Sequence, residues 1–124
     1  MSLPEFDVSG QKVLVVGAGR GIGKGIAIAF AEAGADVAIS ALGPTGVNQV
    51  AEEIKALGRE ALPVTGDATK AADMDRVAEQ VLAQFGHVDT LVNCVGDAIR
   101  NPVVALPGGA TPGMTEEEWH FIVD

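Results

Sequence analysis

The residues best placed to do chemistry in this chain of 124 residues are Gly17, Gly19, Gly21 and Gly23. They follow the apolar run Val13-Leu14-Val15-Val16 and precede Lys24, which reads as a strand, a glycine turn and the start of a helix. Gly17 lets the chain leave the strand sharply, and Gly21 and Gly23 remove side chains where a helix N-terminus must approach a ligand and the sheet. The free N–H groups and positive dipole end of such a helix form an anion site suited to a pyrophosphate. The common G-x-G-x-x-G spacing fits only Gly17 and Gly19, because position 22 is Ile; G-x-x-x-G-x-G fits fully with Gly17, Gly21 and Gly23. Arg20 is a cation inside this loop, either a phosphate ligand or a solvated loop charge. Cys94 is the only cysteine, so an internal disulfide or cysteine-rich metal site is excluded. With no base in view, its thiol is expected to be packed and inert. No metal site is expected.

Alternating strand and helix patterns position these residues. After the glycine loop a helix is expected to about Ala33, with Ile22, Ile26, Ala29, Phe30 and Ala33 on its buried face and Gly34 ending it. Residues 36–40 form a second strand, and a helix over roughly 46–57 places Val47, Val50, Ile54 and Leu57 on one face. Residues 61–65 form a third strand, whose Pro63 marks an edge position. A helix over about 71–85 carries Met74, Val77, Val81, Leu82 and Phe85 inward, and 88–93 is a fourth strand. His87 reads as a surface turn residue. Residues 97–113, rich in Gly, Pro and Ala, read as a loop. Thr115 and Glu118 form a capping box that opens a last helix, where Trp119, Phe121, Ile122 and Val123 begin an apolar face.

The glycine spacing, with Ile22 between its last two glycines, resembles the short-chain dehydrogenase/reductase family. The segment Asn93-Cys94-Val95-Gly96 is similar to that family's N-N-A-G, with Cys94 and Val95 as departures. The resemblance implies a Rossmann-type, doubly wound parallel α/β sheet with strand order 3-2-1-4 in this half. It implies that the Asp67 carboxylate and the Ala68 N–H face the adenine of a nicotinamide dinucleotide; an Asp opening a turn into a helix is also ordinary capping. It implies that Asn93 steadies the sheet and that the 93–96 backbone, with Val95 and Gly96, lines the cofactor ribose. The loop at 97–113 is longer than relatives usually carry and resembles an insertion at the mouth of the cofactor site.

Cofactor choice rests on the end of the second strand, where an acid binds a free ribose 2′-hydroxyl and a base accommodates a 2′-phosphate. Ala41 and Leu42 stand there and do neither. Arg20 is the nearby cation, which tilts the reading from NAD towards NADP.

The family's chemistry uses a Tyr as general acid/base, a Lys four residues later, and a Ser and an Asn that orient substrate. This sequence contains no Tyr. No residue here takes a catalytic role, and residues 1–124 read as a cofactor-binding domain that stops before its catalytic half. The fourth strand would then be an edge, with Leu91, Val92 and Val95 uncovered.

A net charge of −9, with 8 Lys and Arg against 17 Asp and Glu, argues against nucleic acid as a partner. No basic leader followed by an apolar core opens the chain, and no apolar run approaches a membrane span, so a cytoplasmic protein is expected. The leading reading is the cofactor-binding half of an NAD(P)-dependent oxidoreductase acting on a small carbonyl or alcohol substrate, with a homo-oligomer as a possible assembly. The alternative is a dinucleotide-binding module without turnover. A methyltransferase using S-adenosylmethionine would want an acid after the second strand, which Ala41-Leu42 denies.

Overall fold

The apolar run Val13–Val16, rich in β-branched residues, makes β1 (Lys12–Val16) one of the two inner strands of the sheet. The computed structural model describes residues 3–97, 104–105, 107–109 and 112–123. A short 3-10 turn at Pro4–Phe6 precedes β1, and the order then runs α1 (Gly21–Glu32), β2 (Asp36–Ala41), α2 (Pro44–Ala56), β3 (Ala61–Thr65), α3 (Ala71–Phe85), β4 (Thr90–Asn93) and α4 (Glu116–Val123). The sheet is parallel with order β3-β2-β1-β4, as the glycine motif's fold requires. Its register pairs Val16 with Ser40 and Asn93, and Ala41 with Thr65, so all four strands end together. Pro63 sits on the edge strand β3, where its missing N–H costs no ladder bond.

Side chains alternate between two helical layers. Val13, Val15, Val37 and Ile39 pack under α1 and α2 against Ala27, Ala31, Val47, Val50, Ala51 and Ile54. Leu14, Val16, Ala38 and Val64 face α3 through Val77, Val81 and Phe85. Each fully buried Val or Ile contributes about 1.5–3 kcal/mol.

The buried stripe of α1 differs from the expected one. Gly23, Ala27 and Ala31 face the sheet, Ile26 and Phe30 pack at its margin, and Ile22 is 80% exposed. Small residues win this face because the helix begins directly on the glycine loop: a Cβ at Gly23 would collide with the Gly17 carbonyl. Leu57 and Leu82, also expected inside, are largely exposed. α2 starts at Pro44, two residues early, because a proline is preorganised for the first helical turn. β4 starts at Thr90 because Asp89 is engaged by β1: its carboxylate accepts the Lys12 N–H at 2.8 Å and its own N–H donates to the Lys12 carbonyl.

The capping box is present, with Glu118 N–H donating to Thr115 Oγ at 3.1 Å and Thr115 N–H to Glu118 Oε2 at 2.9 Å. Trp119, Phe121, Ile122 and Val123 on α4 are exposed. The loop expected over 97–113 lies largely outside the described residues.

Candidate functional site: the crevice at the strand ends

The carboxyl ends of the four strands lie together, where an open parallel sheet of this kind forms its crevice, and the glycine loop lies between the ends of β2 and β4. Gly17 takes φ +86°, which a side chain would strain, and a Cβ there would lie 2.7 Å from the Cys94 carbonyl. That contact seats the loop against the end of β4. On the other flank, Gly17 N–H and Ala18 N–H both donate to the Ser40 carbonyl, at 2.7 and 3.1 Å, tying the loop to the end of β2. Gly21 has φ +61° and open space where a Cβ would stand. The N-cap residue Arg20 makes no side-chain cap, and among the described residues the first N–H groups of α1 are left for another acceptor. This cradle fits a pyrophosphate.

The other expected residues gather around it. Ala41 and Leu42 follow β2, and Leu42 is 76% exposed. Arg20 is the exposed N-cap residue of α1 and has no salt-bridge partner among the described residues. Lys24, one turn further on, is held by Glu53 of α2 at 2.9 Å and is thereby drawn away from the crevice. Asn93 Oδ1 accepts the Val95 N–H at 3.1 Å, which turns the chain just beyond β4. Val95 and Gly96 are exposed there. Cys94 is half-buried against the α1–α2 core, in keeping with a packed thiol.

Asp67 and Ala68 follow β3. The Asp67 carboxylate accepts through Oδ1 from both Thr69 N–H at 2.9 Å and Thr69 Oγ at 2.6 Å. The Thr69 hydroxyl and then its N–H hold the Asp67 carboxyl below the usual carboxylate range, with Lys70 adding to the effect. Asp67 is not the cap of α3; that position is Lys70.

Two contributors escaped the sequence reading. Gly46 lies in the first turn of α2, where a Cβ would stand 2.5 Å from the Gly19 carbonyl. The glycine loop therefore rests directly on α2. A glycine inside a helix without a turn to make is the signal that points to such close packing. Asp73, inside α3, accepts the Asp67 N–H at 2.8 Å. His87, expected as a plain turn residue, lies 3.0 Å from Asp89 at the opposite end of the sheet.

A parallel 3-2-1-4 sheet with a glycine cradle at its β1–α1 turn defines the first half of a doubly wound dinucleotide-binding fold. The family model for short chain dehydrogenase matches residues 11–122, and the chain belongs to that family. It is 36% identical over 115 residues to the 3-oxoacyl-(acyl-carrier-protein) reductase FabG of Staphylococcus epidermidis, covering 92% of this chain and 44% of the reductase. A short-chain type dehydrogenase/reductase from Mycobacterium marinum superposes with a TM-score of 0.82 at 35% identity, over 98% of this chain and 47% of that one. A 7α-hydroxysteroid dehydrogenase solved with NADH and 7-oxo glycochenodeoxycholic acid superposes with a TM-score of 0.76 at 36% identity, over 83% and 40%. The chain thus spans less than half the length of the relatives it matches. No helix among the described residues is long and apolar enough to cross a membrane.

Proposed function

We propose that this chain is the cofactor-binding half of an NAD(P)-dependent oxidoreductase that interconverts a small carbonyl compound and its alcohol. The observation that carries the reading is the glycine cradle, whose uncapped helix start and open Gly21 leave room for a pyrophosphate between β1 and α1. The matched relatives, which carry reductase and dehydrogenase names, favour turnover over a silent binding module. When bound, the nicotinamide supplies or accepts the hydride. The residues described here bind and orient the dinucleotide: Gly17, Gly19, Gly21, Ile22 and Gly23 at the pyrophosphate, Asp67 and Ala68 at the adenine, and Asn93, Val95 and Gly96 at the ribose. No Tyr stands in residues 1–124 to serve as the general acid/base. The same reading places the protein in the cytoplasm, with a homo-oligomer as a possible assembly.

NADP is preferred over NAD in this reading. Leu42 offers no carboxylate to a free 2′-hydroxyl, Lys24 is engaged by Glu53, and Arg20 remains as the uncommitted cation beside the cradle. Replacing Arg20 with Ala should weaken NADPH binding by about ten- to a hundredfold, the worth of a charge-assisted hydrogen bond, and leave NADH nearly unchanged. Fluorescence titration of the full-length protein with both cofactors tests this. Tighter binding of NADH than NADPH by the unmodified protein would overturn the preference.

A further inference from the structure

The β3–α3 turn is braced far more heavily than a surface turn needs. The Gly66 N–H donates to the Ala41 carbonyl at 2.9 Å, and a Cβ on Gly66 would press on Val77 at 2.9 Å. Thr69 takes Asp67 Oδ1 twice, and the Lys70 N–H takes the Asp67 carbonyl at 3.0 Å. Asp73 takes the remaining backbone group of Asp67, its N–H, at 2.8 Å. Arg76 completes the brace by donating to the Thr65 carbonyl at 3.0 Å while its other nitrogen lies 3.7 Å from Asp73 Oδ1. Every backbone polar group of Asp67 and one of its carboxylate oxygens are thus committed within the protein. Among the described residues, its Oδ2 and the neighbouring Ala68 N–H are left without a partner, an acceptor and a donor on adjacent residues.

We propose that Asp73 is a positioning residue of the cofactor site, fixing the Asp67–Ala68 peptide so that its acceptor and donor face the base of the bound dinucleotide as a matched pair. The inference rests on the cofactor reading above and adds a residue to it that touches neither cofactor nor substrate. Asp73 sits at the third position of α3, where a carboxylate commonly reaches back to the N-cap N–H. Here it reaches past the Lys70 cap to Asp67, three residues further out. A carboxylate that only stabilised its helix would serve equally at the cap. Its reach to Asp67 couples the helix to the side chain at the crevice. Thr69 is the second brace, acting on the carboxylate as Asp73 acts on the backbone.

The test is the ratio of affinities for two cofactors that differ only in the base. Adenine offers an amino donor beside a ring acceptor, whereas hypoxanthine places a carbonyl beside a ring N–H and mismatches both groups. Binding of NADPH and of its hypoxanthine analogue is titrated in the full-length protein, with thermal unfolding recorded for each variant. The unmodified protein should favour the adenine form by about tenfold or more. Asp73→Ala should remove most of that ratio, and Asp73→Asn, which keeps an acceptor oxygen, should restore it. Thr69→Val should also lower the ratio, and it serves if Asp73→Ala folds poorly. An Asp73→Ala protein that keeps the full ratio, or loses affinity for both cofactors alike, overturns the positioning role and leaves the cofactor reading intact. Absence of binding of either cofactor to the unmodified protein overturns both.

Discussion

Ser40 illustrates how one atom can be settled by its surroundings. Its side chain is 0% exposed on the α3 face of β2, between Val16 and Val64, and its Oγ has no hydrogen-bond partner among the described residues. A buried hydroxyl without a partner costs about 1–3 kcal/mol. Ser40→Ala removes that cost at the loss of one small atom's packing, so it should stabilise the fold by about 1 kcal/mol in urea unfolding. A destabilisation of similar size would show that the hydroxyl is satisfied in solution. The glycine pattern was legible because each glycine answers a local steric demand, as Gly23 does against the Gly17 carbonyl. Ser40 was not, because its isolation depends on β1, β3 and α3 closing around it, which no local spacing records.

At the scale of elements, strand and helix order followed from apolar periodicity and from glycines that end helices, while the inward face of α1 did not. Periodicity favours the largest apolar residues, so Ile22 and Ile26 looked buried; the glycine loop instead demands a close approach that only Gly23, Ala27 and Ala31 allow. The brace of the β3–α3 turn was half legible: Asp67 stood out, but the reach of Asp73 depends on where α3 begins. The strand starts form a second polar assembly, remote from the crevice. Lys12 Nζ of β1 lies 2.6 Å from Asp36 Oδ2 of β2 and 3.8 Å from Glu60, and the Glu60 N–H donates to Asp36 Oδ1 at 2.9 Å. Burial opposes the Asp36 charge, but the Lys12 ammonium and the Glu60 N–H outweigh it and hold its carboxyl below the ordinary 3.8. The Asp36 carboxylate in turn raises the Lys12 ammonium above the ordinary 10.5, against its desolvation. A depressed carboxyl stabilises fully above its unfolded value and loses that stabilisation as pH falls through the folded one. A raised ammonium stabilises fully below its unfolded value and loses it as pH rises through the folded one. Stability should therefore hold across neutral pH and decline below about pH 4 and above about pH 10.5. Asp36→Asn should flatten the acid decline in urea unfolding followed across the acid range; an unchanged decline would assign it to other carboxylates.

At the scale of the described residues as a whole, the decisive feature is an unequal sheet. β3 ends one side behind a proline, whereas β4 ends the other with Leu91 64% exposed and Val95, just beyond the strand, 49% exposed. Leu91 lies on the α3 face beside Leu14, but the cluster that α3 forms through Val77, Val81 and Phe85 reaches β1, β2 and β3 and leaves Leu91 exposed. An open parallel edge carrying apolar side chains associates readily. The 124-residue chain should therefore self-associate at micromolar concentrations in sedimentation velocity. Leu91→Lys should shift it towards monomer while changing folding stability by no more than about 0.5 kcal/mol. An unchanged distribution would place the contact elsewhere, with exposed α4 the next surface to substitute.

The seating of Gly17 against Cys94 also sets an order in time. Lys12 meets Asp36 across 24 residues of chain but Asp89 across 77. Closing the longer loop costs about 1 kcal/mol more in chain entropy, and parallel pairing returns little until the strand is fully docked. The β1–α1–β2 unit thus assembles ahead of β4, and the glycine loop waits for its second wall. The crevice at the strand ends thus gains its β4 wall only when that strand docks.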